Sequence, residues 1–258
     1  MWLYFVLVIS ASNLVRADPE TNDLVDLEGH VVCERVPPSL WCSSEKLASE
    51  CGFTEQCEKY TKASKNKPIL LTLLYESLCP DCQNFISDFF RNTYHKIKDF
   101  IQLELVPFGN ARTDKNSTII CQHGQPECIA NKYESCAIHY MPEPLPFIYC
   151  LETQLQNQVN LEKAARKCYS KFHTKPHIYD QIVHCFNGQQ GIDLQIKAAQ
   201  RTEKIWPETH LGVPFMLFNN VSVQSQQFLL RDLNTAICQW YVGEKQPEGC
   251  NGMAMDLK

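Results

Sequence analysis

Cys79 and Cys82 are separated only by Pro80 and Asp81, in the segment LLTLLYESLCPDCQNFISDFF. An apolar run precedes them and a stretch with helical spacing follows. Three chemistries suit such a pair: half of a metal site, a structural disulfide, or a dithiol that exchanges electrons with other disulfides. A zinc ribbon needs a second Cys-x-x-Cys, and the other twelve cysteines contain none. Cys121 and His123 are the remaining conceivable ligands, in a chain whose cysteine content points to disulfides. A structural Cys79–Cys82 bond would close too short a loop to restrain the unfolded chain much. Only the redox reading explains the position. At a strand end and a helix start, Cys79 faces unsatisfied N–H groups and the positive end of the helix dipole, which favour a thiolate. Cys82, one turn later, is more covered. Cys79 would attack a substrate disulfide and form a mixed disulfide. Cys82 would then attack Cys79, releasing the substrate reduced. Pro80 in the first turn removes no intrahelical donor. The charge of Asp81 opposes a thiolate at Cys79, and the sequence leaves that balance open. Two sulfurs sealed in the interior would overturn this reading.

The elements that must position the pair follow from periodicity. Residues 69–75 (ILLTLLY) form a short apolar run suited to a strand buried on both faces. Phe85, Ile86, Phe89, Phe90 and Ile97 recur at helical spacing, and 101–106 (IQLELV) reads as a second strand. Strand, helix, strand of these lengths is a βαβ unit with a parallel pair. From 121 to about 206 the spacing is helical, with helices expected at 127–140, 147–156, 161–172, 178–186 and 192–205, interrupted by MPEPLP at 141–146. Residues 212–223 read as strand, turn at Asn219-Asn220, strand, and 228–241 as a closing helix. The order βαβ, helical insertion, ββα places the chain in the α/β class. It resembles the thioredoxin-like fold with a helical insertion, as in DsbA-like proteins. That resemblance implies a cis bond before Pro214 and a substrate-binding role for Val213 and Pro214. An ordinary proline at a strand start is the alternative.

With 258 residues, 44% of them hydrophobic and 21% charged, the chain suits one domain with an appendage or two small ones. A formal charge of -5 and the lack of basic runs argue against nucleic acid as a partner. The apolar run at 2–9 and Val15-Arg16-Ala17 read as a secretory signal peptide over 1–17, with an uncleaved anchor as the alternative; no later stretch suggests stable membrane insertion. Fourteen cysteines agree with an oxidising secretory route. So do the glycosylation sequons at Asn116 and Asn220. The C-terminus carries no endoplasmic-reticulum retention signal, so onward traffic is expected. Residues 18–32 read as a flexible lead-in. Cys33, Cys42, Cys51 and Cys57 stand in a block at 33–60 that must be a small stapled module, with three possible pairings. The block resembles a saposin A-type module. Residues 61–67 read as a linker, 68–250 as the main domain and 251–258 as a tail.

Within the insertion stands CQHGQPECIANKYESC, residues 121–136. Its pattern, CQHG-x2-EC-x2-N-x4-C, together with Cys79-Pro80-Asp81-Cys82 and Val213-Pro214, resembles the GILT family of gamma-interferon-inducible lysosomal thiol reductases over roughly 68–250. The resemblance implies a thioredoxin-like fold and reduction of protein disulfides at acidic pH in endosomes or lysosomes, or after secretion. It further implies Cys79 and Cys82 as the active pair, disulfide-bonded proteins as substrates and a thiol as electron donor. No cofactor and no metal are expected. A disulfide oxidase or isomerase of the DsbA or protein-disulfide-isomerase kind, and a non-catalytic saposin-like binding protein, are the competing readings. Cys121, Cys128 and Cys136 read as structural disulfide partners, and His123 alternatively as a proton shuttle. The twelve further cysteines can form six pairs, Cys238 with Cys250 among them. At acidic pH an ordinary thiol is almost fully protonated, so Cys79 needs a strongly lowered pKa.

Overall fold

The structure is a computed structural model. It describes residues 44–115 and 118–245, with His30, Cys33, Cys42, Pro247 and Cys250. The expected leader 1–17, the tail 251–258, Asn116 and all of the lead-in except His30 lie outside the described residues.

The chain divides into two compact units, Met1–Glu58 and Lys59–Lys258. In the first, Ser44 caps α1 (Glu45–Glu50), its Oγ accepting from the Leu47 amide at 3.1 Å. Disulfides Cys33–Cys51 and Cys42–Cys57 select one of the three possible pairings. Helix α2 (Thr54–Ser64) runs across the division, so residues 61–64, expected in a linker, are helical.

In the second unit β1 (Ile69–Tyr75) is apolar on both faces, and both faces are covered. It pairs in parallel with β2 (Ile101–Pro107), Ile69 opposite Ile101. The connection between them comprises α3 (Pro80–Asn84), a π-helical segment (Phe85–Phe90), α4 (Arg91–Ile97) and a 3-10 turn. One continuous α-helix was the expectation. Five-residue spacing matches the wider π turn, and it lets Phe85 and Phe90 stack at 5.6 Å. Two short strands, β3 (Arg112–Thr113) and β4 (Ile119–Ile120), pair with each other. The insertion follows as α5 (Gln125–Tyr140), α6 (Leu145–Gln156), α7 (Leu161–Lys171), α8 (Pro176–Asn187) and α9 (Gln189–Glu203). Beyond the two-residue β5 (Trp206–Pro207), β6 (Phe215–Phe218) runs antiparallel to β1 and β7 (Val221–Ser222) antiparallel to β6. The expected closing helix is split into a 3-10 stretch (Gln224–Arg231) and α10 (Leu233–Trp240), the latter capped by Asp232.

The sheet order is β2-β1-β6-β7-β5. A parallel first pair, with the next strand antiparallel beside the first, is the thioredoxin-like arrangement. Strand alternation distributes the core over two layers. Leu71, Leu73, Tyr75, Met216 and Phe218 join one cluster with Ile86, Phe90, Ile148, Leu151 and Ile237. Leu74, Phe215 and Leu217 join the other with Val106, Ala198 and Ala199 of α9. On that second face Arg201 donates to Glu104 at 2.8 Å and to Thr72 at 3.1 Å, pinning α9 across β1 and β2. The insertion is laced by Cys121–Cys128, Cys136–Cys185 and Cys150–Cys168, and Cys238–Cys250 is formed as expected. Among the described residues no helix is long and apolar enough to cross a membrane.

Candidate active site

Cys79 occupies the N-cap of α3 in an extended conformation, with Pro80 at the first helical position. Its Sγ accepts from the Cys82 amide at 3.5 Å and lies 3.7 Å from the Val213 carbonyl oxygen. The Val213–Pro214 peptide is cis, as the fold resemblance implies, and a second cis bond precedes Pro207. Neither Cys79 nor Cys82 is in a disulfide. Cys79 keeps 8% exposure and Cys82 none. Cys79 is thus less open than the sequence reading requires: both thiols are buried, and Cys79 is the less covered of the two.

The two thiols differ sharply in acidity. The Cys82 thiol, donating to the Cys79 sulfur, does most to bring the Cys79 pKa down to about 6; burial opposes this, and the Cys82 and Asp81 amides add to it. Asp81 therefore acts twice, its amide favouring the thiolate and its exposed carboxylate opposing it, and the thiolate is favoured on balance. Sequence reasoning credits the helix terminus and nearby backbone donors; the Cys82 and Asp81 amides do contribute, but the larger effect belongs to the neighbouring thiol. Burial, reinforced by the hydrogen bond and charge of Cys79, drives the Cys82 pKa upward.

Helix α5 holds the loop between β1 and Cys79 through residues of the 121–136 segment. Asn131 Oδ1 accepts from the Ser77 amide at 2.9 Å and from Ser77 Oγ at 2.7 Å, and Gln83 Nε2 donates to the Ser77 carbonyl at 2.9 Å. All of these groups are buried. Glu127, Asn131 and Glu134 repeat at four and three, so they share the face of α5 that meets the loop. Below it, Tyr75 Oη donates to Glu134 Oε2 at 2.7 Å. Burial raises the Glu134 pKa to about 7, and burial with the Glu134 charge raises that of Glu152 on α6. Sequence reasoning assigned neither residue. The available signal was an acid in helical phase with core positions, Ala130 and Ala137 for Glu134 and Ile148 for Glu152.

The Cys121–Cys128 disulfide closes a loop carrying His123, so Cys121 is no metal ligand. His123 Nδ1 lies 2.5 Å from Glu127 Oε2 and 3.5 Å from Glu76 Oε2. Gly109, at φ +55°, approaches Glu76 so closely that a Cβ there would lie 2.4 Å from its Cγ. Burial and the Glu127 charge raise the Glu76 pKa to about 7. Burial disfavours the His123 cation, but the hydrogen bond and charge of Glu127 outweigh this and raise its pKa. Asn220 is exposed at the β6–β7 turn, its Oδ1 accepting from Arg201 at 2.7 Å.

These shifts make folding pH-dependent. Glu76 and Glu134 are raised from 4.5 to about 7, so the stability they contribute is complete below pH 4.5 and is lost as pH rises through 7. The raised His123 acts in the same direction. Cys79, lowered to about 6, acts oppositely, its contribution being lost as pH falls through 6, and His210, lowered by burial, also opposes. With Cys79 and Cys82 oxidised to a disulfide, Cys79 no longer titrates and its opposing contribution is gone. That form should melt about 3 °C or more lower at pH 8 than at pH 5. Calorimetry showing an equal or higher midpoint at pH 8 would contradict the assignment.

A thioredoxin-like sheet with one acidic thiol at the N-terminus of its first helix and a buried partner one turn on defines a thiol–disulfide oxidoreductase. The family model for gamma interferon inducible lysosomal thiol reductase matches residues 70–172. A lysosomal thiol reductase of that name from Carassius auratus is 34% identical over 221 residues, 84% of each chain. The Mus musculus relative is 30% identical over 193 residues, 72% of this chain and 73% of its own. The chain belongs to the GILT family. Among solved structures, oxidoreductase DsbA from Xylella fastidiosa aligns with a TM-score of 0.42 at 16% identity, over 66% of this chain and 84% of its own.

Proposed function

We propose that Cys79 is the attacking nucleophile and Cys82 the resolving thiol of a reductase acting on protein disulfides in acidic endosomal or lysosomal compartments, or after secretion. The Cys79 thiolate attacks one substrate sulfur, forming a mixed disulfide and releasing the other sulfur, which takes up a proton. Cys82 loses its proton and attacks Cys79, freeing the substrate as a dithiol and leaving Cys79–Cys82 oxidised. Two small thiols, or one protein dithiol, must then supply two electrons to restore the pair and leave as a disulfide. Val213 and Pro214, half-buried beside Cys79, are the proposed docking edge for the substrate backbone. Exposure of Asn220 is compatible with its glycosylation. Relatives carrying a lysosomal name support the compartment.

The observation that carries this reading is the placement of two free cysteines, Cys79 at the N-cap of α3 with its sulfur accepting from the Cys82 amide, and Cys82 fully buried one turn on. With a pKa of about 6, Cys79 would be about one-tenth thiolate at pH 5, where a thiol of pKa ~8.5 is ionised to only about 0.03%. The rate of iodoacetamide alkylation of the reduced chain, followed by peptide mass spectrometry, should rise at Cys79 with a midpoint near pH 6 while Cys82 stays unmodified. A midpoint near 8.5, or equal labelling of both residues, would refute it.

A further inference from the structure

The cluster Glu76, His123 and Glu127 is not used by the chemistry above. Its ligand atoms all lie within 4.8 Å of one another. Both carboxylates are fully buried, and the imidazole is 33% exposed, leaving one side open to solvent. Each carboxylate commits one oxygen to a backbone amide: Glu76 Oε1 accepts from Asn110 at 2.6 Å, and Glu127 Oε1 from His123 at 3.0 Å. Each turns its other oxygen toward His123 Nδ1. Glu76 Oε2 is buried there without a hydrogen-bond partner.

The His123–Glu127 ion pair accounts for one carboxylate of this set and leaves Glu76 Oε2 without a hydrogen-bond donor. One imidazolium can neutralise one carboxylate, and among the described residues no Lys or Arg forms an ion pair with either Glu76 or Glu127. When both carboxylates are ionised and the imidazole is neutral, one divalent cation balances the set. Their backbone hydrogen bonds and the Cys121–Cys128 tether are the outer supports a metal site needs. Ligands about 2.1 Å from a common ion stand about 3.4 Å apart in tetrahedral geometry. Glu76 Oε2 and His123 Nδ1 already stand 3.5 Å apart, whereas the 2.5 Å contact to Glu127 would have to widen. Imidazole with carboxylates suits zinc and neighbouring first-row ions.

We propose that Glu76, His123 and Glu127 form a divalent transition-metal site, with zinc as its natural class of occupant and an open position toward solvent. The site adjoins the thiol loop, since the Glu76 carbonyl accepts from the Cys79 amide at 3.3 Å.

The test uses the full chain with Cys79–Cys82 oxidised, so that neither sulfur can ligate. Equilibrium dialysis against zinc chloride near pH 7 should show one ion per chain, and H123A and E76Q should each weaken binding at least about tenfold. Zinc should raise the unfolding temperature of the wild-type chain and leave that of H123A unchanged. With cobalt(II) chloride, visible d–d bands should appear without a thiolate charge-transfer band. Should a variant fail to fold, the wild-type chain still decides the matter: substoichiometric cobalt should broaden the backbone amides of Asn110 and His123 before others. No uptake at millimolar zinc, binding retained by both folded variants, a thiolate band, or broadening centred elsewhere would overturn the site.

Discussion

Replacing Cys79 by Ser is expected to reduce protein-disulfide reduction by about 10³-fold or more, because the hydroxyl neither ionises at working pH nor attacks sulfur. Insulin reduction read by turbidity measures this directly. The Cys82→Ser chain should fail differently. Its Cys79 keeps a side-chain donor, because a serine hydroxyl at position 82 can donate where the thiol did, and the backbone amides of residues 81 and 82 remain. It should still attack, but nothing resolves the product. A mixed disulfide with substrate should accumulate on non-reducing gels and collapse on adding dithiothreitol. A Cys79→Ser chain with substantial activity, or a Cys82→Ser chain that turns over without trapping substrate, would refute the division of labour. The contrast separates nucleophile from resolver, whereas two merely structural thiols would behave alike.

Removing the Cys136–Cys185 disulfide should produce the largest loss of stability among the bonds of the insertion. It closes a separation of 49 residues between α5 and α8, and both sulfurs are fully buried. Loop-closure entropy assigns it about 4 kcal/mol, against about 3 for Cys150–Cys168 and about 2 for Cys121–Cys128, whose separations are 18 and 7. Urea unfolding of C136A/C185A, C150A/C168A and C121A/C128A double variants should follow that order. The last should be the mildest in stability yet disturb the site, since its loop carries His123 between β4 and α5. A loss below about 1 kcal/mol for C136A/C185A would show that packing alone holds α5 against α8.

That helix matters because the insertion forms much of the ground beneath the thiols. Asn131 on α5 grips Ser77, Glu134 meets Tyr75, and Glu152 comes from α6. A thioredoxin-like sheet thus presents the Cys-x-x-Cys pair, while the helices set between its two halves hold the loop and bury the acids around it.

Much of this was legible from residue order. Apolar runs marked β1 and β2, helical spacing located α5 to α9 within a few residues, and the strand-to-helix junction that carries Cys79 and Cys82 was placed correctly. Such features are local: a strand's period, a helix's stripe and a two-residue gap are written along the chain. Tertiary structure alone decided the rest. It decided the pairing of the further cysteines, the strong effect of the Cys82 thiol on Cys79, and the meeting of Glu76 with His123 and Glu127, drawn from segments some fifty residues apart. The two-residue strands β3, β4 and β5 carry too few residues to show a period. Acidity depends on burial and on charges a few ångströms away, and those distances exist only once the chain has closed on itself.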